Sequence, residues 1–258
     1  MNSTSHSKVI AKVNNLTLSY KLNQHSSDSL KESFIKVMSS PFSTIFNKYD
    51  QHLVLDNISF NINEGDRIGL LGVNGVGKTS LCRIISGMFN PTKGEINING
   101  EVRAIFDTSI GILEDLTGRE NATILMELMF PTLDKETKKK FINEALEFSE
   151  LNDFLDIPFK KYSKGMQARL CLSLISCTGS DLLILDEVFD GADTFFKEKI
   201  AKRVLKMINN SGAVIFVSHS ADQIKQTCNR LIVIDNKKIC YDGEVDKGIE
   251  HYLELYRE

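Results

Sequence analysis

The chain has 258 residues, 42% of them apolar and 25% charged, with a formal net charge of −3. That length can bury a sizeable core, and that composition is ordinary for a globular protein. The charge gives no whole-chain case for nucleic-acid binding, no apolar run approaches the roughly 20 residues of a membrane span, and the five cysteines lack metal-ligand spacing.

Residues 1–8 hold no hydrophobic core of a signal peptide. An odd cysteine count without C-x-x-C points to reduced, buried thiols and a cytoplasmic protein. Residues 8–20 alternate as a strand. Residues 21–51 break that pattern and predict a helix with Leu30, Phe34, Val37 and Met38 on one face, packed on the chain's own surface or facing a partner or membrane. Residues 57–63 read as a strand, Glu64-Gly65 as a turn, and residues 66–71 as a short buried strand.

Gly72-Val73-Asn74-Gly75-Val76-Gly77-Lys78-Thr79 follows, and it fits G-x-x-x-x-G-K-[ST] at every fixed position. The strand before it and the predicted helix after it supply the context that the motif requires. Glycines let successive backbone N–H groups converge on an anion, and the helix N-terminus adds its dipole. Lys78 brings a cation to the outer phosphates, and the Thr79 hydroxyl can ligate Mg2+. Gly72, Asn74, Gly75, Val76, Gly77, Lys78, Thr79 and Ser80 are therefore the expected contacts of a nucleoside triphosphate.

Asn90-Pro91 ends that helix, and residues 95–106 read as two short strands joined at Asn99-Gly100. From 117 to 177 the period is helical. Lys135, Lys138, Lys139 and Lys140 are interspersed with Asp134 and Glu136, which predicts a solvated helix face and no nucleic-acid patch. Ser163-Lys164-Gly165 opens a helix, either as a plain N-cap or as a second anion site. Residues 182–186 form a short apolar strand ending in Asp186, which can reach Mg2+, with Glu187 next to it as a base for the attacking water. A helix over 195–208, a strand over 213–218 ending beside His219, strands over 231–235 and 238–241, and a terminal helix complete the chain.

This order of motifs resembles the ABC-transporter ATPases over nearly the whole chain: a phosphate loop, Ser-x-Gly at a helix start about ninety residues later, and strand-Asp-Glu some twenty further on. The resemblance implies an α/β P-loop NTPase, an ABC-type nucleotide-binding domain with an antiparallel β subdomain and an inserted helical subdomain. It implies one domain over 1–258, with the ATP-binding core in 1–106 and 181–258 and the helical part in 107–180. Tyr20 lies where the family places a ring on adenine. Ser163 and Gly165 resemble the signature motif, which contacts the γ-phosphate bound to the opposite subunit. Asp193, in Asp190-Gly-Ala-Asp193, resembles the Asp of the loop that crosses the dimer interface, and His219 resembles the switch histidine. The implied ligands are ATP and Mg2+.

Departures narrow the branch. Lys164 replaces the first signature Gly and Met166 the usual Gln. Tyr-Ser-x-Gly-Met at 162–166, Leu116-Thr-Gly-Arg-Glu-Asn121 and Asp186-Glu-Val-x-x-x-Ala-Asp193 resemble the ATPases that export capsular polysaccharide, O-antigen or teichoic acid through an ABC-2-type permease. The glutamine that usually opens the permease-contacting loop is absent, and its place falls near Asp107, a candidate for Mg2+ or water. The branch implies a homodimer, bound peripherally to the cytoplasmic face of the membrane through its permease. An exporter of drugs, ions or lipids is the alternative, and a non-transport ABC ATPase stands further off.

Overall fold

The computed structural model describes residues 8–21, 51–106, 111–186, 194–218 and 220–256. The predicted helix with Leu30 and Phe34 lies outside them.

Strands β1 (Val9–Lys21), β2 (Gln51–Asn63) and β4 (Lys93–Ile98) form an antiparallel sheet in the order β2-β1-β4. β2 is longer than the predicted strand over 57–63, because its pairing with β1 continues until Gln51 lies opposite Lys21. Repeated register shifts, and Asn57 at φ 54, break the two-residue alternation that would have revealed this extent.

The second sheet has six strands in the order β5-β6-β7-β3-β8-β9. These are β3 (Arg67–Leu71), β5 (Val102–Ile105), β6 (Leu182–Asp186), β7 (Ala213–Val217), β8 (Arg230–Asp235) and β9 (Lys238–Gly243). All its neighbours run parallel except β8 and β9. The two short strands predicted over 95–106 belong to different sheets: β4 pairs with β1, and β5 pairs with β6. The chain crosses between sheets at Asn99-Gly100, where the Glu101 N–H donates to Asp181 Oδ2 at 2.8 Å.

β6 and β7 are buried at every position, as apolar strands in a covered parallel sheet must be. Alternate residues serve two cores. Leu182, Ile184, Ile215 and Val217 face the antiparallel sheet and helix α1 (Lys78–Ile85). Leu183, Leu185, Val214 and Phe216 face a helical layer. Into that layer are packed α2 (Gly118–Met129), α3 (Lys135–Ser149) and α4 (Lys164–Ile175), together with α5 (Thr194–Asn209), α6 (Ala221–Thr227) and α7 (Val245–Leu255).

One expectation is corrected here. Lys138 is not on a solvated face: it is 6% exposed and its ammonium meets Glu127 of α2 at 2.5 Å. An ammonium taken out of water needs such a partner, so this cation packs α3 on α2. The thiols also divide. Cys82 and Cys171 are buried, Cys177 and Cys228 are partly so, and Cys240 is exposed. Burial pushes the Cys177 thiol up to about 11 and Cys228 to about 12, which leaves both protonated and unreactive at neutral pH.

Candidate nucleotide site

The phosphate loop joins the C-terminal end of β3 to α1. Gly77 caps α1 in the left-handed region at φ 109, and a Cβ there would lie 2.8 Å from Leu55 Cδ2. Only glycine satisfies both constraints. No side chain caps α1, so its first N–H groups remain for a ligand. Val54, Asn74, Gly75, Gly77, Lys78, Thr79 and Ser80 line an open pocket of about 340 Å³. Gly72 and Val76 stand behind this lining: a Cβ on Gly72 would meet Val76 Cγ1 at 2.8 Å and the Ile234 carbonyl at 2.5 Å. Lys78 is 6% exposed, and its ammonium donates to the Gly72 carbonyl at 2.7 Å and the Val73 carbonyl at 3.2 Å. The lysine thereby closes the loop on itself and holds a cation at the rim of the cradle.

Register places Asp186 at the same edge. Asp186 pairs with Val217 of β7, and Val217 pairs with Leu70 of β3, two residues before the loop. Two strand spacings separate the Asp186 and Leu70 backbones, about 10 Å. The side chain is 6% exposed. Burial raises the Cys82 thiol well above its usual range, the Asp186 charge raises it further, and Lys78 lowers it. Cys82 thus lies within the fields of both groups, one turn along α1 from Lys78. Thr79 and Asp186 offer the hard oxygen donors that suit Mg2+.

Ser163 is the N-cap of α4, and its hydroxyl accepts from the Met166 N–H at 3.2 Å. Among the described residues, a Cβ at Gly165 would meet nothing nearer than Ser163 Oγ at 3.9 Å. None of them demands that glycine by packing on it. Neither residue lines the phosphate pocket of its own chain.

The 116–121 motif acts as a buttress for this helix start. Thr117 and Glu120 form a capping box on α2. The buried Asn121 side chain accepts from the Leu113 N–H and donates to the carbonyls of Leu113, Leu116 and Thr117. Tyr162, one residue before Ser163, donates its hydroxyl to the Phe154 carbonyl at 2.6 Å. A Cβ at Gly118 would lie 2.1 Å from that hydroxyl oxygen. Gly118→Ala is expected to destabilise the fold by about 1–3 kcal/mol through this overlap. Urea denaturation would read it, and an unchanged midpoint would dissociate Gly118 from the buttress.

Tyr20 lies on β1 opposite His52, two positions from Val54 of the pocket wall, and is 42% exposed. A ring at that end of the hairpin is available to a base. Asp107, Glu187, Asp193 and His219 lie outside the described residues. Ser218, which precedes His219, donates its hydroxyl to Gln223 Oε1 at 2.8 Å, and Ser220 caps α6. Val54 and Leu55 were not legible as loop contacts, because they meet Gly77 only through the packing of β2 against the loop and α1.

A sequence profile described as ABC transporter matches residues 55–190. The teichoic acids export ATP-binding protein TagH of Staphylococcus epidermidis is 32% identical over 244 residues, covering 95% of this chain and 88% of that protein. The O-antigen export system ATP-binding protein RfbE of Yersinia enterocolitica is 34% identical, covering 90% of this chain and 96% of that protein. Among solved structures, an ATP-binding subunit of an ABC transporter superposes with TM-score 0.71 at 20% identity, over 96% of this chain and 100% of that one. A dimeric ATP-binding cassette carrying ADP and Pi superposes with TM-score 0.68 at 19% identity, over 92% and 99%. At these identities the structures establish the fold.

Proposed function

This chain belongs to the ABC transporter family, and from that premise we propose that it is the ATP-hydrolysing subunit of an exporter for a cell-surface polymer of the teichoic-acid or O-antigen kind. The open cradle at residues 72–80, with Asp186 at the same sheet edge, is the observation that carries the ATPase reading. Similarity to teichoic-acid and O-antigen export proteins supports the polymer over a drug, ion or lipid.

The working unit is a pair of identical chains. Each ATP is held by the phosphate loop of one chain and by the Ser163 helix start of the other. Gly165 supports this: among the described residues nothing comes closer than 3.9 Å to a Cβ placed there, and a glycine lets a phosphate approach the backbone. Thr79 and Asp186 would hold Mg2+, which supplies charge neutralisation on the outer phosphates. Lys78 orients the terminal phosphoryl group, Glu187 takes the proton from the attacking water, and His219 senses the same phosphate. Asp193 lines the seam, and Tyr20 stacks on the base. Because each ligand bridges two chains, it binds the closed pair more tightly than the open one, and that difference drives the cycle.

Among the described residues no helix is long and apolar enough to cross a membrane; similarity to export-system proteins supports a membrane partner of the permease type. An apolar groove of about 270 Å³ between β5 and α2 is suited to receive it, with Leu128 63% exposed at its rim. Leu128→Glu is expected to abolish polymer export and co-purification with the permease. Hydrolysis by the isolated protein should stay within about twofold, because the change is confined to the surface. Retained export in this variant would place the contact elsewhere. Cells lacking the chain should lose the surface polymer; an intact polymer with lost drug or lipid efflux would overturn the substrate class.

A further inference from the structure

We propose that Glu150 is a positioning residue that locks the Ser163 helix to the helix following residues 187–193, so that one chain's contributions to the two ATP sites move together. The inference rests on the two-chain ATP reading given above.

Three helices meet at this residue. Glu150 follows the C-terminal end of α3, with its backbone at φ 56 in the left-handed region that favours glycine. Its carboxylate lies between two cations. Arg169 of α4, six residues beyond Ser163, stands 3.8 Å from one oxygen, and the Lys199 ammonium of α5 donates to the other. Lys199 also donates to the Phe148 carbonyl at 3.1 Å and stands 4.4 Å from the centre of the Phe148 ring. Arg203, one turn further along α5, stacks on the same ring at 4.3 Å and pairs with Glu144 at 3.3 Å.

α5 begins at Thr194, one residue after Asp193 and seven after Glu187. α4 begins at the residue after Ser163. The node therefore connects the helix start aimed at the partner's γ-phosphate with the segment bearing the chain's own base. A glutamate where glycine is preferred is a local rule broken, and the carboxylate bridge between Arg169 and Lys199 accounts for it. Part-exposed ion pairs of this kind contribute little to stability, so the node sets relative position rather than holding the fold.

That distinction gives the test. Glu150→Gly removes the carboxylate and relieves the backbone at once. In the Glu187→Gln background, the ATP concentration for half-dimerisation, read by light scattering, should rise about 3- to 10-fold when Glu150→Gly is added. Nucleotide affinity of the monomer should not change, and its Tm should stay within about 2 °C of the parent or rise. Lys199→Met should act in the same direction, and the double variant should be no worse than either single one, as expected for one shared interaction. Half-dimerisation at the parent's ATP concentration, additive losses in the double variant, or a Tm drop above about 5 °C would overturn the positioning role. Absence of any ATP-dependent dimer in Glu187→Gln itself would instead overturn the two-chain reading, and this inference with it.

Discussion

Lys78→Ala is expected to weaken ATP binding by about 30- to 1,000-fold and to silence hydrolysis, as follows from removing a desolvated charged partner. The ammonium lies in a nearly closed environment, where a charge-assisted contact to phosphate is roughly twice as strong as a neutral one. It also satisfies the Gly72 and Val73 carbonyls, so truncation frees two acceptors and loosens the loop. The stability cost should be about 1–3 kcal/mol, the range for leaving a buried polar group without its partner. Titration with a fluorescent nucleotide separates the effects. An unchanged Kd would remove Lys78 from the phosphate site, whatever happens to the melting temperature.

Glu187→Gln is the second large effect. The amide cannot accept the proton of the attacking water, and loss of a positioned base costs about 10²–10⁴ in rate. Binding should survive, because the phosphate cradle and the donors at Thr79 and Asp186 are untouched. If hydrolysis reopens the pair, the variant with ATP should accumulate as a stable dimer in size-exclusion chromatography. Turnover at the wild-type rate would remove the catalytic assignment.

The phosphate site was legible in the sequence because its determinants are local. Gly72, Gly77, Lys78 and Thr79 carry their chemistry at fixed spacing within one turn between a strand and a helix. Asp186 was legible because a fully apolar strand ends on it. Ser163 was ambiguous between a cap and an anion site, and the geometry shows the cap: its hydroxyl accepts from the Met166 N–H.

What escaped was long-range. Val54 reaches the pocket through packing of β2, a strand whose extent is obscured by bulges. β4 and β5 look like neighbours in sequence, yet Ile96 pairs with Val13, 83 residues away, and Val102 pairs with Leu182, 80 residues away. Lys138 was placed with its charged neighbours on a solvated face, although its partner Glu127 sits on another helix. Glu150 has no motif at all. Its role emerges only when α3, α4 and α5 are packed together.

The most direct measurement is a structure of the Glu187→Gln protein closed on ATP and Mg2+. Ser163 Oγ should lie at hydrogen-bond distance, about 3 Å, from a γ-phosphate cradled by the Lys78 of the other chain. Two nucleotides each touched by a single chain, with Ser163 turned to solvent, would contradict the account.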